Sequence, residues 1–175
     1  MNEARFFVDL VPADSTNLVV SEISYRPSAP SPEEIAAGFG SSEEFEFIEL
    51  TNPSSDHVHL RGVTFSDGVR FVFDDESTAV FVIAPGEHIV LVENEAAFAM
   101  RYGAAIRVAG QYEGALDNGG EMLVVDGITQ FTYDDVDPWP VTPDGGGDTL
   151  AYLGTGDQND PANWRASTSP GGSPG

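Results

Sequence analysis

The residues whose types and spacing could do chemistry are three histidines, one glutamate set among hydrophobic residues, and several acidic loops. His57 and His59 lie two apart in a β-rich run, so both rings would leave the same face of a strand, a spacing that can chelate zinc or copper. The chain contains no cysteine, so a third ligand would have to come from Asp56, His88 or a neighbouring carboxylate. Without that ligand the pair is polar decoration of an exposed strand, which is the preferred reading. The absence of cysteine also excludes disulfides and thiolate nucleophiles. No G-x-S-x-G turn is present to offer a serine to a histidine base.

Glu49 sits in FEFIEL (45–50), where strand alternation would place it with Phe45 and Phe47 and opposite Ile48 and Leu50. Apolar surroundings raise a carboxyl pKa, which would suit a general base. The structural alternative is preferred: Glu49 accepts hydrogen bonds from backbone N–H groups or an arginine and ties two strands together, because a buried unpaired carboxylate is costly. Oxygen-rich loops suggest calcium as an alternative to inertness. The candidate ligands are Asp117, Asn118 and Glu121; Asp134, Asp135 and Asp137; and Asp157, Asn159 and Asp160. None follows D-x-[DN]-x-[DN]-G with a glutamate at the twelfth position, and acidic loops also arise for solubility alone. LDNGGEM and PDGGGDT lack the lysine of a P-loop and place acids where a phosphate would lie, so phosphate binding is excluded. Trp139 and Trp164 would anchor a partner or a sugar ring if exposed, although packing at a sheet edge or in the core is the expected role of both.

The elements that must position these groups read as strands. LVVSEIS (18–24), FEFIEL (45–50), HVHLRGVTFS (57–66), VRFVF (69–73), AVFVI (79–83), HIVLVE (88–93), EMLVVD (121–126), ITQFTY (128–133) and DTLAYL (148–153) are short runs bounded by Gly, Pro, Asn and Asp. Asp67-Gly68 and Asp126-Gly127 suit two-residue hairpin turns with positive φ. One helix is expected over EAAFAMRY, with Asn94 as its cap and Gly103 as its stop, and a shorter one over 32–37. In DPWPVTPDGGGDTL (137–150) three prolines stiffen a shaped connection into the last of these strands. About nine strands without crossover helices predict an all-β antiparallel sandwich of two sheets.

Ordered along the chain, SEISYRP (21–27), EFIELTNPSSDHVHLRGVTFSDG (46–68), IAPGEHIVLVENEAAFAMRYG (83–103), GALDNGGEMLVVDG (114–127), DPWPVTPDGGGDTLAYL (137–153) and DPANWRASTSPGGSPG (160–175) resemble the lamin-tail domain. The similarity is nearest to the bacterial versions found in large exported proteins. It implies an immunoglobulin-like β-sandwich without catalytic activity of its own. The segment from Pro27 to Glu43 is longer than the usual link between the first two strands of that family. The expected organisation is an N-terminal extension or linker over 1–16, the sandwich over 17–166, and a C-terminal linker over 167–175.

Charge sets the class of partner. All seven positive residues are arginines, and 29 acidic residues bring the formal net charge to -22. Such a surface repels nucleic acid, which excludes the nucleic acid contacts attributed to nuclear lamin tails. The acids are dispersed, as a solvated coat suited to a salt-tolerant prokaryote. No run approaches the roughly 20 apolar residues needed to span a bilayer. MNEARFF lacks the features of a signal peptide, so any export signal is expected to lie outside this sequence. The expected function is therefore a structural or interaction module of a larger extracellular or cell-surface protein, contacting other domains or surface components. The alternatives are a calcium-dependent carbohydrate or surface adhesion module, and then a metal-assisted hydrolase using His57 and His59.

Overall fold

β-branched and aromatic runs need sheet partners to satisfy their backbones, and glycine- and proline-rich joints let the chain turn back to supply them. A computed structural model describes residues 10–74 and 82–175. In chain order its strands are Leu10–Pro12 (β1), Val19–Ser24 (β2), Phe47–Thr51 (β3), His57–His59 (β4), Thr64–Asp67 (β5), Phe71–Val72 (β6) and Val82–Ile83 (β7). They continue with His88–Val92 (β8), Val108–Gln111 (β9), Met122–Val125 (β10), Thr129–Thr132 (β11), Leu150–Tyr152 (β12) and Trp164–Ala166 (β13). Two α-helices, Pro32–Ala36 (α1) and Glu95–Tyr102 (α2), complete the described fold. The expected AVFVI strand lies outside the described residues as far as position 81.

The largest sheet has the order β13-β12-β2-β3-β8-β9; a second runs β11-β10-β5-β6 and a third β1-β4-β7. One face of the six-stranded sheet contributes Ile23, Ile48, Leu50, Ile89, Leu91 and Leu150 to a core completed by Phe65, Leu123, Val125 and Phe131 from the second sheet and Val58 and Ile83 from the third. Each such side chain, fully buried, adds about 1.5–3 kcal/mol relative to exposure. The layers are those of the expected sandwich. Its strand count exceeds nine because β1, β9 and β13 are short or small-residue segments with weak sequence signals, and because HVHLRGVTFS divides into β4 and β5 around a turn at Arg61 and Gly62.

HIVLV explains the other face. Ile89 and Leu91 point into the sandwich while Val90 and Val92 point out, where they meet Phe47 and Phe98 in a second apolar cluster beneath α2. Asn94 caps that helix, its side chain accepting from the N–H groups of Ala96 and Ala97. α2 is also a crossover: β8 and β9 pair in parallel, Val90 opposite Val108, and β1 pairs in parallel with β4. The expectation of no crossover helix is therefore corrected at this one place, where the helix needs an apolar floor and the sheet edge an eighth-to-ninth strand connection long enough to reverse.

The joints also differ in detail. Asp126-Gly127 does form a hairpin, but pairing resumes at Val125 opposite Thr129 and only Gly127 has a positive φ. Asp67-Gly68 lies in a wider hairpin than expected: β5 and β6 pair antiparallel with Phe65 opposite Phe71, Gly68 takes a positive φ, and Asp67 pairs instead with Val124. Phe45 ends a short 3₁₀ turn rather than starting the strand. Residues 10–12, expected within a linker, form β1. The expected linker 167–175 lies against the six-stranded sheet through hydrogen bonds from Ser173 and Gly175.

Candidate functional site

The outward face of the central strands carries a group of ionisable side chains on which a later segment of the chain is seated. A bulge at Ser21 breaks the alternation of β2, so that Val20 enters the core while Glu22 comes opposite Glu49 of β3 on the outer face. Both glutamates are 3% exposed. Glu49 Oε1 accepts the Ser21 hydroxyl at 2.6 Å and lies 2.8 Å from His88 Nδ1 on β8. Glu49 Oε2 accepts the Gly175 N–H at 2.7 Å. Glu22 Oε1 accepts the Thr149 hydroxyl at 2.5 Å and the Ser173 N–H at 3.0 Å, and Oε2 accepts the Ser173 hydroxyl at 3.2 Å.

Burial holds the Glu22 carboxyl above its ordinary range, against the pull of hydrogen bonds from Thr149 and Ser173, and the charge of Glu49 adds to the rise. The His88 imidazole is pushed up by its hydrogen bond to Glu49, against desolvation. Glu49 therefore does what its sequence context suggested: it ties β2, through Ser21, to β8, through His88. A carboxylate, an imidazole and a hydroxyl do stand in line here, since Thr51 Oγ1 is 3.4 Å from His88 Nε2. That hydroxyl belongs to a β-branched residue within a strand and is directed 3.3 Å from the Glu87 carbonyl, so it is not poised as a nucleophile.

Ser169–Gly175 crosses this floor. The Ser167 N–H donates to the Thr149 carbonyl at 2.9 Å, and the Gly172 N–H closes a turn onto the Ser169 carbonyl at 3.0 Å. A cleft of about 520 Å³ opens beside Pro170 and Gly171, and another of about 480 Å³ beside Pro174 and Gly175. Each cleft carries an arginine–glutamate pair: Arg101 with Glu34 in the first, at 2.8 Å, and Arg107 with Glu87 in the second. Arg101 holds the Glu34 carboxyl down to about 2 and stacks its guanidinium 3.4 Å over the Phe45 ring. It thereby fixes α1, whose Ser31–Glu34 capping box sets its start, beside α2.

Apart from Glu49 and His88, the residues singled out from sequence lie elsewhere. His57 and His59 flank Val58 on β4, and among the described residues no group of three or more His, Cys, Asp or Glu side chains is arranged to hold a metal ion. Glu121 Oε1 accepts the Asp117 N–H and the Tyr133 hydroxyl, and Asp117 Oδ1 accepts the Gly119 N–H, so these acids close their own loop around Asn118. Asp134 likewise caps the N–H groups of Asp135 and Val136, just before Asp137 and its cis bond to Pro138. Asp157 accepts from Asn159, and Asp160 caps the turn 161–163. Trp139 and Trp164 are both buried, their rings 6.1 Å apart, and the Trp164 indole N–H donates to the Gln158 carbonyl. Both rings therefore take the packing role expected of them. Glu22, Thr149 and Ser173 were not anticipated: simple alternation puts Glu22 on the face of Val20, and only the bulge separates them.

Compared with known families, residues 12–155 match the Lamin Tail Domain. The chain belongs to this family. The lamin tail domain is an immunoglobulin-like sandwich, in keeping with the layers described above, and its matched span takes in β2 to β12 entire, with β13 and all but the last residue of β1 outside it. The docked segment 169–175 lies beyond the matched span of the lamin tail domain. No curated protein and no solved structure matches this chain.

Proposed function

We propose that this lamin tail domain is a non-catalytic interaction module of a larger exported prokaryotic protein, acting outside the cell or at its surface on other protein domains or surface components. The observation that carries the reading is the seating of main-chain N–H groups, those of Ser173 and Gly175, on the buried Glu22 and Glu49 carboxylates. A face that satisfies its polar groups with polypeptide backbone suits adhesion between chain segments rather than turnover of a small substrate. The dispersed acids and absence of lysine favour partners that are neutral or basic.

The test has two arms. Titrating the purified chain with separately produced neighbouring domains of its parent protein should give saturable binding, weakened about tenfold or more by Glu22→Gln with Glu49→Gln, as expected for loss of well-desolvated contacts. Turnover of an ester, peptide, glycoside or phosphoester that disappears in Thr51→Ala or His88→Ala would overturn the reading.

A further inference from the structure

Several features single out Ser169–Gly175 from an ordinary chain end. It carries no charged side chain, yet two buried carboxylates receive its backbone N–H groups. Clefts open beside it at both ends, one at Pro170 and Gly171 and the other at Pro174 and Gly175. It also fits by lacking side chains. A Cβ on Gly172 would fall inside the Glu22 carboxylate and within 2.8 Å of the Thr149 hydroxyl, and one on Gly171 would come within 3.4 Å of the Tyr102 ring. Gly171 and Gly172 have φ of +80° and +84°, a region that L side chains rarely adopt.

We propose that the outer face of the six-stranded sheet, floored by Glu22, Glu49 and Thr149 and walled by Tyr102, is a peptide-binding groove selective for a glycine-glycine-serine-proline-glycine segment, with Ser169–Gly175 as its displaceable resident. The ligand is a neutral peptide whose glycine lies over Glu22 and whose next two backbone donors, separated by a proline, meet Glu22 and then Glu49. Proline suits the intervening position because it contributes no N–H that would need an acceptor. A segment of the same kind, from another chain, would offer the same backbone donors and so compete with the resident. The groove names a partner class for the interaction-module reading on which it rests. The two fail separately: turnover dependent on Thr51 or His88 would sink that reading without touching the groove, and the titration below would sink the groove without creating an enzyme.

The experiment uses the whole chain, labelled with ¹⁵N, in the wild type and in Gly172→Ala. In the wild type the amides of Ser173 and Gly175 exchange slowly with solvent. In Gly172→Ala those two amides lose protection about tenfold or more while those of β3 and β8 keep theirs. A synthetic peptide of sequence STSPGGSPG, added at millimolar concentration, then shifts the signals of Glu22, Glu49 and Tyr102 saturably in the variant. In the wild type it needs about ten times the concentration, because the tethered resident competes at an effective concentration in the millimolar range. The same peptide with alanine for its second glycine leaves both proteins unmoved. Should Gly172→Ala lose the strand protection too, Ser173→Pro, which removes the donor to Glu22 without adding bulk at 172, takes its place, with the Gly175 amide as the reporter of release and the same peptide titration. Retained protection of the Gly175 amide in both variants, or outer-face signals unmoved by the peptide once the resident is released, or equal response of wild type and variant, would each overturn the groove.

Discussion

The two faces of the six-stranded sheet are made by alternate residues of the same strands, yet they are held by different physics. Inward, Ile48, Leu50, Ile89 and Leu91 meet aromatic and aliphatic side chains of the other sheets, an interaction that scales with buried area and has no direction. Outward, Phe47, Val90 and Val92 cover only the part under α2, and the rest of the face depends on Glu22 and Glu49 finding donors at defined positions. The inner face sets how stable the domain is. The outer face sets what lies on it, because a misplaced donor leaves a buried carboxylate unpaired.

Truncating the inner face is the most damaging change. Trp164→Ala removes a ring packed within 5.2 Å of Phe131 and 5.1 Å of Tyr152, centroid to centroid, together with the indole N–H bond to Gln158. A loss of about 3–5 kcal/mol is expected in urea unfolding. A loss no larger than that of Glu49→Gln would break the contrast between the faces.

The inner layer also meets one acid at its margin, and pH can expose it. Glu46 is fully buried; its Oε2 accepts the Leu116 N–H at 2.9 Å and the Tyr112 hydroxyl at 3.2 Å, while Oε1 has no hydrogen-bond donor among the described residues. Burial pushes the carboxyl up to about 8 from 4.5, opposed by those two hydrogen bonds and reinforced by the charges of Glu43 and Glu93. A raised folded-state pKa means that the folded chain holds a proton the unfolded chain has released. The associated stability is therefore complete below about pH 4.5, declines as pH rises, and is gone above about 8. Relative to Glu46→Gln, which does not titrate, the wild type should lose on the order of 4 kcal/mol between those limits, read as the difference between two unfolding series. A parallel pair of pH profiles would refute a protonated Glu46.

The inner face was legible in the sequence and the outer face was not. Ile48 and Leu50 announced their side by alternation, and HIVLV read as a strand, although its cover on both faces, by α2 and by the sandwich core, came only with the fold. Asn94 and Gly103 marked that helix to the residue because capping is local chemistry. Glu49 was legible for the same reason, since its flanking residues fix both its burial and its need for donors. The pairing of Glu22 with Glu49 depends on a bulge and on a register across two strands, and the arrival of Ser173 depends on a contact 151 residues away in sequence. Neither leaves a periodic trace. The acidic loops left two readings open because a carboxylate that caps a backbone turn and one that binds a cation have the same composition.

Salt separates surface charge from area-driven packing. With a formal charge of -22, self-repulsion opposes the compact state, and raising NaCl from low concentration to about 1 M shortens the Debye length to about 3 Å. The melting temperature should rise by a few degrees, equivalent to about 1 kcal/mol in a chain of this size. Trp164→Ala should show the same rise, since the core it weakens carries no charge. A flat or falling response in the wild type would remove the salt-tolerant reading of the acidic coat.

The smallest effect belongs to the outer face itself. His88 is pushed above 6.5 by Glu49, so its contribution is present below that value and is lost as pH rises through its elevated folded-state pKa. Its side chain is 38% exposed, and solvent screening limits the pair to below about 1 kcal/mol. His88→Ala should therefore cost more stability near pH 5.5 than near pH 9, unlike a neutral truncation, whose cost is independent of pH. Glu49 would retain the Ser21 hydroxyl and the Gly175 N–H in that variant, so the docked segment should keep its amide protection. Loss of that protection would mean that the imidazole, rather than the carboxylates, holds the segment in place, and the division of labour between the two faces would have to be redrawn around His88.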